Sequence, residues 1–206
     1  MIIIKGNSKW AKVFEPDTRF VPEGEYSIQV VMPEAESVAV CEQLETLVDQ
    51  EYDKSVKEKP ALKANLSKRA VFEKEVDQNG NETGNVVFKT KLKAAIKSKD
   101  GRVYHQKVSV VDAKKQPLDP ATAVGNGSLV KVAVEPFPYM MQSTKQVGVS
   151  LRLKAVQVID LVEYGNVADA FDEEDGYVAN AKAKDDSNDV FNDETTDDTD
   201  DAEGDF

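Results

Sequence analysis

The sequence lacks what several classes of protein depend on. Its 206 residues include one cysteine, Cys41, so no disulfide can form within the chain and a reducing compartment is the simplest expectation. No apolar run is long enough to cross a bilayer, and the opening MIIIKGNSKW has too few apolar residues for a signal peptide. We therefore expect an intracellular protein that is free of the membrane.

Catalytic signatures are scarce as well. The one histidine, His105, lies in a lysine-rich stretch and is expected to face solvent or a ligand rather than act as a base. The sequence has no phosphate-binding loop or dinucleotide motif, and the aspartates before Gly176 do not fit the register of a calcium-binding EF-hand. We expect no enzyme, no metal and no cofactor; a metal-dependent nuclease is the weakest alternative.

What the sequence does contain is charge, with the two signs separated along the chain. The formal net charge is −12, but residues 166–206 hold 16 of the 38 acidic residues and only two of the 26 basic ones. A segment so charged and so poor in apolar residues cannot bury enough surface to offset the entropy of ordering. The pattern predicts a folded, slightly basic domain over residues 1–165 and a disordered acidic tail over residues 166–206.

Most of the body is predicted to form strands. The predicted strands are Tyr26–Met32, Val86–Lys97, Arg102–Asp112, Ser128–Phe137 and Val147–Val162. Asp100 and Gly101 predict a hairpin turn between the second and third of these.

One helix is predicted over Glu34–Lys57. Its apolar residues recur every three or four positions, namely Val38, Cys41, Leu44, Val48, Tyr52 and Val56. Together these elements predict a mainly-β fold, a small barrel with one long helix inserted between strands.

The stretch VVFKTKLKAAIK alternates between two kinds of residue. Val86, Phe88, Leu92, Ala94 and Ile96 are expected on a buried face, opposite Lys89, Lys91, Lys93 and Lys97. Lysines often form a solvated outer face that discourages edge pairing. Four like charges on one face, however, repel one another unless an anion lies across them. Further cations on the neighbouring strands extend this candidate polyanion surface, namely Arg102, Lys107, Lys131, Arg152 and Lys154.

Aromatic residues interleave with these cations. Tyr104 lies between Arg102 and Lys107. The segment PFPYMM is predicted to hold Phe137 and Tyr139 in a stiff connection between strands, where the two rings are hard to bury together, with core packing as the alternative for each. Exposed rings stack on the bases of single-stranded nucleic acid. Trp10 and Phe14 are further candidates, although tryptophan is more often buried in a core.

The chain from about Phe88 onward resembles a known family. The segments VSVVDAKKQPLDPATAVGNGSLVKVAVEPFPY, VGVSLRLKAVQVIDLVEYG and DGYVANAKAK, with the ending DDAEGDF, together resemble the single-stranded DNA-binding proteins of short-tailed coliphages. The resemblance implies an OB-fold, a five-stranded Greek-key barrel with the helix inserted, that binds oligonucleotides across one face. It places Tyr139 at a base-stacking position and Lys89 and Lys91 on the DNA-facing side. Met140 and Met141 stand where relatives can carry another aromatic, so the second stacking ring is either absent or supplied by Phe137.

The resemblance also implies a role. It implies sequence-independent binding of single-stranded DNA in phage replication, recombination and repair, in the cytoplasm of the infected bacterium, and a possible homodimer. Asp205 and Phe206 offer a carboxylate beside a large ring to a partner's pocket, and the resemblance names phage DNA polymerase and helicase-primase as partners. A tethered acidic tail would also compete with DNA for the basic surface. Two interpretations remain open beside this one: an acidic protein-interaction module or DNA mimic, and a general DNA-binding protein that also takes duplex.

Overall fold

The computed structural model describes residues 1–163, in which it forms ten strands, one α-helix and a short 3₁₀ helix, Pro60–Ala64. The strands are β1 (Ile2–Asp17), β2 (Glu25–Pro33), β3 (Ser67–Lys68), β4 (Glu73–Val76), β5 (Glu82–Lys93), β6 (Ala95–Lys97), β7 (Val103–His105), β8 (Ser109–Val111), β9 (Leu129–Met141) and β10 (Gln146–Asp160). The helix α1 spans Glu34–Glu58. The predicted tail, with Asp205 and Phe206, lies outside the described residues.

Five of the strands close a barrel. Antiparallel pairs link β10 to β9, β9 to β1, β1 to β2 and β2 to β5. A short parallel pairing of β5 with β10, at Thr90 with Leu151 and Lys91 with Arg152, completes the ring. This is the five-stranded barrel of an OB-fold with a long helix inserted between its second and third strands, so the predicted fold class is confirmed.

The core is built from the inward-facing residues of all five barrel strands. The side chains of Ile4, Ile28, Phe88, Val132 and Leu153 come from different strands and are fully buried. Each such side chain stabilises the fold by about 1.5–3 kcal/mol relative to an exposed position. Because successive residues of a strand point to opposite faces, this packing fixes which residues face outward.

The first strand, β1, is absent from the predicted strands although it is the longest. Its buried face begins with Ile4, Gly6 and Ser8, and two of these three are not apolar. The Ser8 hydroxyl donates a hydrogen bond to the Gly125 carbonyl oxygen at 2.7 Å, which satisfies it in the core. A small and a polar residue on the buried face hide the alternation from sequence analysis.

The predicted strand Val86–Lys97 is broken in the structure, and this corrects the expected position of two residues. β5 ends at Lys93. The Ala94 N–H still donates in register to the Gly24 carbonyl oxygen at 2.8 Å, but the Ala94 carbonyl oxygen accepts a hydrogen bond from the Gln106 N–H at 2.7 Å, so the chain leaves β2 there. Ile96, expected on the buried face, is therefore 45% exposed, and Lys97 belongs to a separate two-stranded sheet. That sheet is the predicted hairpin, with Gly101 at a positive φ of 85° in its turn.

The helix α1 confirms the predicted segment to within one residue. Its buried face contributes Cys41 and Leu44 to the main core, and Val48 to a smaller cluster with Leu66 and Val147. The prediction that Val38 lies on this face is wrong, because its side chain is 52% exposed. No helix in residues 1–163 is both long and apolar enough to cross a membrane.

The segment PFPYMM was expected between strands and instead belongs to β9. Val134 pairs with Ile2, the first residue of β1, so Pro136 and Pro138 lie beyond the start of β1, where β9 has no partner among the described residues on that side. Proline lacks the N–H that a central strand donates and is tolerated at such an edge. β9 therefore extends as an arm with β10, and this arm carries the two predicted rings.

Candidate nucleic-acid interface

Three adjoining hollows lie on the outer face of the described barrel, where β5 and β10 meet. Their volumes are about 430, 250 and 200 Å³, and Lys91 lines all three. Together they are termed the groove. Its charged and aromatic lining residues include Trp10, Arg69, Phe72, Lys89, Lys91, Lys93, Phe137, Tyr139, Arg152 and Lys154.

β5 supplies the lysines at the centre of the groove. Lys89, Lys91 and Lys93 alternate with the buried Thr90 and Leu92, so the three ammonium groups must point outward. Thr90 is held in the core by its hydroxyl, which donates to the Ile28 carbonyl oxygen at 2.9 Å. The spacing of alternate residues puts consecutive lysines about 7 Å apart along the strand.

β9 and β10 supply the rings and two further cations. Tyr139 lies opposite Gly148, and Phe137 lies opposite Ser150. The Phe137 ring is 45% exposed, and the Arg152 guanidinium lies 3.7 Å from the ring centroid. This cation–π contact orders both side chains at the groove wall.

Trp10 corrects the expectation of a core residue. β1 has a bulge there, because Lys9 pairs with Gln29 and Lys12 with Ser27, which leaves two residues of β1 opposite one of β2. Trp10 has a φ of +52°, unusual for a bulky residue, and is 64% exposed. The backbone N–H of Trp10 donates to the Asn126 side-chain oxygen at 2.8 Å.

The bulge thus presents the Trp10 indole at the rim of the groove beside Lys89 and Lys91. Phe14, the other early candidate, is partly buried against the core.

The segment before β4 adds residues that sequence analysis missed. The Arg69 N–H donates to the Val147 carbonyl oxygen at 2.8 Å, which fastens the segment beside β10. Phe72 reaches into the groove wall and lies 6.2 Å from Phe88, centroid to centroid. The segment has no strand-like alternation; the one signal available was a basic pair, Lys68 and Arg69, close to an aromatic residue.

Carboxylates interleave with the groove lysines. Lys89 pairs with Glu73 at 2.6 Å, Lys91 with Glu25 at 3.4 Å, and Lys154 with Glu135 at 2.8 Å. The hydrogen bond from Lys154 holds the pKa of Glu135 below its usual value, and the charges of Lys154 and Arg152 lower it further. Repulsion among the lysines is therefore relieved within the molecule, and an external anion is not required for it.

The structure brings seven of the twelve sequence-predicted DNA-binding residues to the groove. They are Lys89, Lys91, Lys93, Phe137, Tyr139, Arg152 and Lys154. Lys97, Arg102, Tyr104 and Lys107 are exposed on or beside the β6–β7 hairpin, which borders the groove through Ile96 and Gln106. Lys131 is exposed on β9 and lies about 20 Å along the strand from Phe137.

Comparison with known proteins adds a family. A family model described as the single-stranded DNA-binding protein of bacteriophage T7 matches residues 8–161. A curated relative, the single-stranded DNA-binding protein of Escherichia phage T7, is 26% identical over 173 residues, which cover 79% of this chain and 75% of the relative.

Solved structures support the same fold. The crystal structure of gp2.5, a single-stranded DNA-binding protein encoded by bacteriophage T7, superposes with a TM-score of 0.65 at 24% identity, covering 87% of this chain and 99% of that one. The single-stranded DNA-binding protein of bacteriophage Enc34, solved in complex with single-stranded DNA, gives a TM-score of 0.51 at 13% identity over 80% and 88% of the two chains.

Proposed function

Because this chain belongs to the family of the bacteriophage T7 single-stranded DNA-binding protein, we propose that it binds single-stranded DNA along the groove without regard to sequence. The family consists of binding proteins and not enzymes. The main support for this proposal is that the ammonium groups of Lys89–Lys93 lie on the same barrel face as the rings of Tyr139, Phe137 and Trp10.

The two kinds of side chain suit the two parts of a single strand. Ammonium groups attract backbone phosphates, and their contribution falls with salt because counterions are released on binding. Aromatic rings stack on any base, at roughly 1–3 kcal/mol per base, because every base has a π face. Neither interaction reads the edge of a base, so binding that rests on these two is independent of sequence.

We propose that Trp10 supplies the second stacking ring, which Met140 and Met141 left open. One face of Phe137 is covered by Arg152, whereas the indole of Trp10 is exposed at the other side of the lysines. We therefore assign Tyr139 and Trp10 as the two main stacking platforms, with Phe137 and Arg152 as a combined third.

The five predicted DNA-binding residues outside the groove are proposed to contact a DNA strand that extends beyond it. Lys97, Arg102, Tyr104 and Lys107 adjoin the groove through the β6–β7 hairpin and would contact nucleotides that leave it on that side. Lys131 is far along β9 and would reach the phosphates of a strand that continues around the barrel.

The acidic residues 166–206 are proposed to compete with DNA for the groove. A segment with 16 acidic and two basic residues, tethered to a basic surface, has a high effective concentration there. DNA would release it, and Asp205 and Phe206 would then engage the phage DNA polymerase and helicase-primase. Roles in replication, recombination and repair in the host cytoplasm, and a homodimer, belong to the same proposal.

A titration tests the proposed function. Fluorescence anisotropy of labelled oligo-dT, oligo-dA and a hairpin duplex is measured against the full-length protein at two salt concentrations. We expect similar affinity for the two single strands, at least tenfold weaker binding of duplex, and a steep loss with salt. Equal affinity for duplex would favour a general DNA-binding protein, and no binding at low salt would favour a protein-interaction module or DNA mimic.

A further inference from the structure

The three ion pairs of the groove share one geometry. Glu25 lies opposite Lys93 on the next strand but contacts Lys91, two residues away. Glu73 lies opposite Val87 and contacts Lys89, again two residues away.

Glu135 repeats the arrangement on β9 and β10. It lies opposite Arg152 and contacts Lys154. Each carboxylate thus reaches diagonally across a strand pair, from β2, β4 or β9, to a lysine that lines the groove.

Resting on the proposed function, we propose that Glu25, Glu73 and Glu135 are internal competitors of DNA. In the free protein each carboxylate occupies the place of a backbone phosphate on its lysine, and DNA binding replaces it with a phosphate. The three glutamates thereby set the affinity and the salt dependence of the groove.

The ion pairs are of a kind that can exchange. The lysine side chains of the three pairs are 43–60% exposed and the glutamate side chains 24–59%, so water and salt screen their attraction, least at Glu25. Exposed pairs of this type are weak. A carboxylate displaced from its lysine stays beside the bound strand, where it continues to repel phosphates.

Salt dependence follows from the same arrangement. A glutamate displaced from its lysine becomes an unpaired anion that attracts a solution cation, and this offsets the cation that the phosphate releases when it pairs with the lysine. Removing the carboxylate charge should therefore steepen the plot of log affinity against log salt, by up to about 0.7 per lysine freed. The gain in affinity should be largest at low salt and shrink as salt screens the groove.

The test uses full-length protein, labelled oligo-dT and glutamine substitutions that keep the side-chain shape. Glu25→Gln, Glu73→Gln and Glu135→Gln should each tighten binding roughly two- to fivefold at low salt. The triple variant should gain roughly tenfold or more and show the steeper salt slope.

The matched control is Glu82→Gln. Glu82 pairs with Lys74 at 2.8 Å, and neither residue lines the groove, so this variant removes the same net charge and a similar ion pair elsewhere. It should leave affinity and slope unchanged. A double variant, Glu73→Gln with Lys89→Ala, should lose the gain of Glu73→Gln, because the effect acts through Lys89.

The outcomes separate this inference from the proposed function. If wild-type protein binds oligo-dT but the glutamine variants match Glu82→Gln, the inference is overturned and the proposed function stands. If wild-type protein does not bind oligo-dT at low salt, the proposed function is wrong, and the inference that rests on it is wrong as well. Thermal unfolding of each variant checks the fold, and Glu135→Gln alone decides the matter if the triple variant unfolds, because both members of its ion pair are on the exposed surface.

Discussion

The ring of Tyr139 lies against the backbone of Gly148, its partner across the β9–β10 pair. A Cβ at Gly148 would lie 2.8 Å from the tyrosine hydroxyl oxygen, closer than real contacts allow. The atoms in the way belong to the far end of a side chain at an open groove, so the ring can move aside at little cost. The glycine therefore fixes the position of the ring more than it stabilises the fold.

Gly148→Ala should weaken oligo-dT binding several-fold while changing the melting temperature little. The comparison is Gly6→Ala, where a Cβ would lie 2.3 Å from the Val31 carbonyl oxygen, a backbone atom that cannot swing away. That variant should lose about 1–3 kcal/mol of unfolding free energy, or more. Anisotropy and thermal unfolding monitored by circular dichroism measure the two effects. Equal losses of stability in the two variants would contradict the interpretation.

Tyr139→Ala and Trp10→Ala should each weaken oligo-dT binding by about 1–3 kcal/mol, because each removes a surface on which a base stacks. Neither change removes a charge, so the salt slope should stay as in wild type. Tyr139→Phe is the matched control and should retain most of the affinity, since the ring remains. A changed slope with unchanged affinity in Tyr139→Ala would exclude stacking.

Lys91→Ala should lower the salt slope by up to about 0.7, because it removes one phosphate contact on a single strand, part of which Glu25 already offsets in the wild type. Lys91 lines all three hollows of the groove, so it is the strongest choice for this test. Lys74→Ala removes a lysine that lines none of them and should leave the slope as it was. The slopes come from titrations at four or more salt concentrations. A similar change in both variants would show that the groove has no special role.

Deleting residues 185–206 should tighten DNA binding at low salt, because the deletion removes 11 acidic residues that are proposed to compete for the groove. The difference should narrow at high salt, where the competition is screened. The measurement is the same anisotropy titration with full-length and shortened protein. Unchanged affinity at low salt would remove tail competition from the proposed function.

Glu75 should make the fold sensitive to acid. Its carboxylate accepts hydrogen bonds from Lys9, from the Asn85 amide at 2.9 Å and from the Thr83 hydroxyl at 2.7 Å, and these lower its pKa to about 2. Because the pKa is lower in the folded state, the ionised carboxylate stabilises the fold at pH values above its ordinary pKa of 4.5. This stabilisation is lost as the pH falls from 4.5 towards 2. Urea unfolding between pH 6 and pH 2 should show a smaller loss in Glu75→Gln than in wild type. Parallel losses in the two proteins would contradict the assignment.

Sequence analysis predicted the parts of the fold and the groove that rest on local periodicity. The alternation of Lys89, Lys91 and Lys93 with buried neighbours follows from strand geometry alone, and it holds up to the point where β5 ends. The prediction for Ile96 was wrong because the chain changes partner after Ala94, whose carbonyl oxygen accepts a hydrogen bond from Gln106, and Ile96 then pairs with Tyr104 in the separate hairpin.

Other features depend on contacts between distant segments and could not be predicted. Trp10 is exposed because of a bulge in β1, where its backbone N–H donates to the side chain of Asn126, 116 residues further along the chain. The glutamate partners of the lysines are likewise set by strand register, which is decided by the closed barrel and not by any local run of residues. The resemblance to a phage family predicted the fold, whereas the strand register determines which side chains are in contact.

The parallel pairing of β5 with β10 has a consequence for biosynthesis. β10 is the last strand to leave the ribosome among those that form the barrel, and it brings Ser150 and Arg152 to the wall opposite the lysines of β5. A nascent chain that has completed β5 and β9 already carries its lysines and its tyrosine, but they do not yet face a common cleft. The proposed binding groove is therefore complete only once β10 has been translated and has paired with β5.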